Sequence, residues 1–275
     1  MKKAIFLFIY VFVSLTFLSA DVYIKQISHH SSFWQRGELL DTQTSYGRTR
    51  KTITETYEKI EEPPKEVSFE IWIGENRYSI HGPDISIIVN LDENLMCVVH
   101  HQNKSYFETK LPLRITDILS KKDLKFRSKF YMKASVSPSS QTKSIGEWTC
   151  KGYDARIEYG RSGMLGIPNY RSEVYWATSD VPFDWISYTQ KIYPIINSIK
   201  YIYFKSESLL RELSKIDGFV VASKTIFPEI PNLISERVIS METVELSEKT
   251  APVGTYSVPE GYTKMDDLIL NQTSK

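Results

Sequence analysis

The sequence predicts a mainly β (α+β) protein built as a curved antiparallel sheet, or incomplete barrel, covered by a kinked helical hairpin. Three observations lead there. Short runs rich in Val, Ile, Tyr and Thr recur between turn residues over 21–111, which is the text of an antiparallel meander. Two of those runs, 85–89 and 95–99, are apolar on both faces and so need cover on each side. Strong helical spacing occurs in one stretch only, 180–218.

The chain opens with Lys2 and Lys3, an apolar run over 4–18 and the small-residue close Leu18-Ser19-Ala20. That is the layout of a secretory signal peptide over 1–20. The apolar run is shorter than the roughly 20 residues of a bilayer span. Asp21 stands where a bacterial lipoprotein would carry its acylated cysteine. The expected product is an exported, unanchored chain, periplasmic or secreted, with residues 21–275 forming one domain.

The elements follow in order. In 67–73, Val67, Phe69, Ile71 and Ile73 share one strand face. Turns at 74–76, 82–84, 92–94 and 102–104 separate strands at 77–81, 85–90, 95–101 and 105–109. A mixed basic and apolar segment, 112–133, reads as a short helix and loop, and the Ser/Pro-rich 135–144 reads as a loop. Strands are expected at 148–159 and 170–178. Asp180 is the expected N-cap of the helical stretch, with Pro182 in its first turn. Pro194 should kink the helix, and Gly218 should end its second half. Closing strands at 219–227 and 233–246 precede a terminal turn at 256–262.

Composition narrows the function. The full chain carries net charge +1, and losing Lys2 and Lys3 makes the mature chain −1. Nucleic-acid partners, which want a basic face, are therefore not expected. Cys97 and Cys150, alone in an oxidising compartment, either form one disulfide or remain two buried thiols. The pairs His29-His30 and His100-His101 cannot chelate through both rings, because strand neighbours point to opposite faces. Surface or strand-edge histidines are the expectation, and no metal or cofactor is expected. Gly160-Arg-Ser-Gly163 lacks the glycine and the strand–turn–helix setting of a nucleophile elbow. With no convergent catalytic set in view, the chain reads as a binding protein rather than an enzyme.

A sheet covered by a helix rich in Trp, Tyr and Ile either packs solid or leaves an apolar cavity. On the cavity reading Trp72, Trp176, Trp185, Tyr188 and Ile192 line it; on the other they are ordinary core. Several stretches, DVYIK at 21–25, IIVNLD at 87–92, KSYFE at 104–108, GEWTCKGY at 146–153, VYWATSD at 174–180 with PFDW at 182–185, and VPEGY at 258–262, resemble a family of secreted bacterial proteins. That family is placed with the periplasmic lipoprotein carriers (LolA-like and LolB-like). The resemblance implies an incomplete antiparallel barrel closed by helices, with a hydrophobic cavity for an apolar ligand such as a lipid or lipoprotein acyl chain. Two other classes remain open: a solid-core envelope interaction module and a secreted hydrolase.

Overall fold

The structure is a computed structural model describing residues 20–31, 33–39, 43–45, 48–50, 55–61, 65–161, 169–228 and 237–268. The signal peptide expected over 1–20 lies outside the described residues except for Ala20.

The architecture is mainly β, with one curved, unclosed sheet of 12 strands at its centre. In chain order the strands are β1 (Asp21–Ser31), β2 (Phe33–Leu39), β3 (Gln43–Ser45), β4 (Arg48–Arg50), β5 (Glu55–Glu61), β6 (Lys65–Ile73), β7 (Arg77–His81), β8 (Ile85–Asn90), β9 (Leu95–His100) and β10 (Ser105–Lys110). The helices α1 (Ile115–Ile118) and α2 (Lys121–Arg127) precede β11 (Phe130–Ile145), β12 (Trp148–Arg161) and β13 (Asn169–Thr178). Then come α3 (Trp185–Ser187), a π turn (Tyr188–Ile192), α4 (Tyr193–Lys200) and α5 (Glu207–Leu213). The chain closes with β14 (Phe219–Phe227), β15 (Arg237–Lys249) and β16 (Thr263–Met265). The order across the large sheet is β11-β12-β13-β14-β15-β1-β6-β7-β8-β9-β10-β16, while β2 pairs with β5 and β3 with β4.

The meander over 65–110 forms as the alternation and turns predict. Four departures have local causes. Residues 135–144 belong to β11 rather than to a loop. Pro138 costs little there because β11 is an edge strand, and the register with β12 shifts between Pro138 and Thr142. Part of that edge is also capped from the helical side, where Met132 N–H donates to Lys205 O at 2.9 Å and Lys205 N–H to Phe130 O at 3.0 Å.

The helix cap is Asp184, not Asp180: its Oδ1 accepts from Ser187 N–H at 3.0 Å. Gly218 is not the residue that ends α5, which closes at Ser214. With φ at +117°, and with any Cβ only 2.6 Å from Thr178 O, Gly218 instead lets the start of β14 pass close to the end of β13. Finally, β16 adds a parallel pair to β10, which strand patterning did not predict. Among the described residues no helix is long and apolar enough to cross a membrane.

Pro194 acts on the helix as expected, by a definite route. The run from Trp185 to Lys200 is interrupted by the π turn just before Pro194, and Tyr193 N–H reaches back to Tyr188 O. A proline cannot donate to the carbonyl four residues earlier, and a widened turn absorbs that mismatch.

Two buried apolar groups hold the layers together. The first joins the β6–β10 half of the sheet, through residues such as Tyr78, Val89, Met96 and Val98, to Ile192, Ile199 and Ile202 of the helical run. The second joins β11–β13, through Met132, Tyr153, Ile157 and Tyr175, to Leu209 and Leu213 of α5. The doubly apolar strands are covered on both sides, as their text requires. Val89, Met96 and Val98 face the helices, while Ile88 and Val99 are buried on the other face.

Candidate functional site

A cleft of about 540 Å³ lies beside the helical cover at one rim of the sheet. Its sheet side is made by the β6–β7 turn (Asn76), the β8–β9 turn (Leu91, Asp92, Asn94) and the chain leaving β10 (Leu111, Pro112, Leu113). Its helix side is Lys191, Pro194, Ile195 and Ser198.

The rim is a laced structure. Leu91 N–H donates to Asn76 O and Leu111 N–H to Asn94 O, each at 2.8 Å. Asn90 Oδ1 accepts from Glu93 N–H at 3.1 Å, and Asn94 takes the left-handed conformation, φ +52°, that asparagine tolerates. The cleft is lined by the apolar Leu91, Leu111, Leu113, Pro194 and Ile195 and by the polar Asn76, Asp92, Asn94, Lys191 and Ser198.

None of the five residues singled out from sequence lines this cleft. Trp72 is on the wrong face for it. Ile71 and Ile73 take the helix side of β6, so Trp72 points away and packs on Tyr23, with ring centroids 4.7 Å apart. Trp176 is half-buried against the first core group, with the Lys143 ammonium 4.8 Å from its ring centre. Trp185 opens α3 half-buried and belongs to neither buried group. Tyr188 and Ile192 do sit between helix and sheet, but as packing. The Tyr188 ring lies 5.9 Å from both Tyr78 and Phe219, and Ile192 is buried. Burial pushes the Tyr78 and Tyr188 hydroxyls well above the ordinary tyrosine range. The sequence signal that does reach the cleft is Pro194, read earlier only as a kink.

The disulfide alternative is not realised. Cys97 and Cys150 are free thiols, and they point into different surroundings. Cys150 is fully buried in the first core group, whereas Cys97 lies on the other face of β9 from Met96 and Val98. Burial, reinforced by Glu108, pushes the Cys97 thiol up to about 11, and burial raises Cys150 as well. Thiolate, the reactive form, is therefore scarce near neutral pH. A thiol-disulfide reagent at pH 7 is expected to label neither cysteine quickly in the folded protein and both once it is denatured. Rapid labelling of either in the native state would contradict this placement.

The histidines lie at the surface or at strand ends, as expected, except that His100 is buried. His81 and His101, at the end of β7 and just after β9, enter a chain of hydrogen bonds on the outer sheet face. Ser86 Oγ lies 3.0 Å from His81 Nδ1 and 2.7 Å from His101 Nε2. Ser86 is 1% exposed, so the pair offers a substrate no approach to a serine nucleophile. Among the described residues no group of His, Cys, Asp or Glu is arranged to hold a metal ion. No protein-family profile and no curated protein matches the chain.

Proposed function

We propose that the protein is an exported binding protein that shelters the apolar part of an amphiphile, such as a lipid or lipoprotein acyl chain, in the cleft between α4 and the sheet rim. The observation that carries this reading is the cleft itself, lined by both apolar and polar side chains at the rim of a helix-covered, unclosed sheet. The resemblance to a secreted family placed with the LolA-like and LolB-like carriers supports this reading, as does the leader-like text over 1–20. Partly buried Ile80, Ile85 and Ile87 extend the same apolar face along β7 and β8. No step of bond making or breaking is assigned.

The test is lipid retention. The mature chain, expressed with export and purified without detergent, is expected to yield bound lipid on solvent extraction and mass spectrometry. Ile195→Asp, which places a charge in the cleft wall at a half-buried position, should reduce the recovered lipid at least several-fold in protein whose thermal unfolding shows that it remains folded. A wild-type protein that returns empty from every preparation would overturn the proposal.

One observation favours the rival reading of a solid-core envelope interaction module: the helix–sheet contact is filled by Tyr78, Phe183, Tyr188 and Phe219. An empty protein that captures an envelope protein through its surface would establish that alternative.

A further inference from the structure

The segment joining β10 to β11 concentrates positive charge in a nearly neutral chain. Residues 110–129 hold seven basic side chains against two acidic ones, while the whole sequence is only +1. The two carboxylates are spent on local structure. Asp123 Oδ2 accepts from the Ser120 hydroxyl at 2.6 Å in the N-cap of α2, and Asp117 Oδ1 accepts from the Thr116 hydroxyl at 3.2 Å. Among the described residues, Arg127 alone of the seven has an ion-pair partner, Glu207 at 2.9 Å.

α2 gathers most of this charge on one side. With about 3.6 residues per turn, Lys121, Lys125, Lys129, Lys122 and Phe126 fall in that angular order within roughly 140° of arc. Ser128 keeps helical dihedrals, so Lys129 extends the same face. All five are exposed, whereas Asp123, Leu124 and Arg127 turn the other way and are half-buried. Leu124 packs against the first core group. One side of α2 is thus held by the protein, and the other presents four ammonium groups and a phenyl ring to solvent.

The ring is the telling member. Phe126 stacks on Phe130 with centroids 4.5 Å apart, which accounts for its buried half, yet it remains 49% exposed. Leaving that apolar area in water is unfavourable, and a further lysine would be better hydrated there. Two features fix the chemistry of what this face meets. Ammonium groups without carboxylate partners complement a negatively charged surface, and a ring among them calls for an apolar layer just beneath it. An anionic phospholipid surface supplies both, with phosphates outermost and the acyl boundary within about 5–10 Å. A nucleic acid supplies only the first. A single ring offers no row of stacking platforms, and the one arginine of α2 is engaged by Glu207 and by the Ile202 carbonyl.

We propose that the exposed face of α2 (Lys121, Lys122, Lys125, Phe126 and Lys129) docks the protein reversibly on an anionic phospholipid membrane. The lysines meet the lipid phosphates, and the Phe126 ring enters the headgroup boundary. The same segment starts in the cleft wall at Leu111–Leu113, with Lys110 and Arg114 exposed on either side, so a docked α2 keeps the cleft within one short segment of the lipid. The docking face is argued from charge and exposure, not from an occupied cleft. Vesicle binding and lipid retention can therefore fail separately.

Co-sedimentation of the mature chain with vesicles tests the docking. Partition onto phosphatidylcholine vesicles carrying about one-third phosphatidylglycerol should exceed partition onto phosphatidylcholine alone at least tenfold at low salt. Most of it should be lost near 1 M salt, where screening acts within roughly 3 Å. These two arms need no variant to fold. Lys121→Glu with Lys125→Glu should lower partition at least tenfold, whereas Lys65→Glu with Lys224→Glu, an equal charge change at two other exposed lysines, should leave it within about twofold of wild type. Phe126→Ala should lower partition several-fold while keeping its salt dependence. Equal partition onto both vesicle types, equal losses from the two lysine pairs, an undiminished Phe126→Ala, or retention on heparin without vesicle binding would each overturn the proposal.

Discussion

Truncating Phe219 to alanine is expected to lower the unfolding free energy by about 3–5 kcal/mol, the range for large buried aromatics. Phe219 is where the helical cover meets the sheet. Its ring makes an edge contact with Phe183 at 5.4 Å and another with Tyr188 at 5.9 Å, and Tyr188 in turn packs near Tyr78. Removing it leaves a void that three aromatic neighbours on two layers cannot all close. In a chain of this size each kcal/mol is worth roughly 2–4 °C, so the melting temperature should fall by about 6–20 °C. Phe126 is the control. It is 49% exposed and touches chiefly Phe130, so Phe126→Ala should cost under about 1 kcal/mol. Thermal unfolding of the two variants side by side checks both values, and similar losses would mean that the aromatic contact does not fasten the cover.

A second large effect is expected at Glu173, a carboxylate buried in β13 at 4% exposure. It meets Arg171 Nε at 2.7 Å and accepts a hydrogen bond from the Tyr175 hydroxyl. Arg171 also lies 5.6 Å from the Phe227 ring centre. Glu173→Ala strands the guanidinium in a largely closed site, at a cost of about 3–5 kcal/mol. Replacing both partners, Arg171→Met with Glu173→Leu, should recover much of that loss, because neither charge is then left unpaired. Urea unfolding of the single and double variants measures the difference. A single variant within about 1 kcal/mol of wild type would show the pair to be effectively solvated.

Much of this fold is legible in the text because its signals are local. The alternation in β6 placed Val67, Phe69, Ile71 and Ile73 together, and the same alternation, followed one residue further, already turns Trp72 to the opposite face. Choosing Trp72 as a cavity residue relied on residue type where parity decides. The Ser/Pro-rich stretch was misread as a loop because an edge strand tolerates Pro138, and sequence does not reveal which strand is the edge. Asp180 and Asp184 are both acceptable caps, and only the hydrogen bond to Ser187 N–H separates them.

The site was harder to read, since its residues come from three rim turns and a helix that are distant in sequence. Their meeting depends on the sheet's curvature. The His81–Ser86–His101 chain is likewise a product of register: Ser86 pairs with both His81 and Val99 across its neighbouring strands, a juxtaposition that periodicity does not announce.

The cleft proposal is tested most directly by where a bound acyl chain lies. A single-chain fatty acid carrying a photoreactive diazirine near its methyl end can be incubated with the detergent-free mature protein, irradiated, and its adducts located by peptide mass spectrometry. The expected adducts fall on 111–113 and 191–198, compete away with unlabelled fatty acid, and diminish in Ile195→Asp. Adducts absent at saturating probe, or confined to the outer face around Tyr23 and Trp72, would contradict a binding site between α4 and the sheet rim.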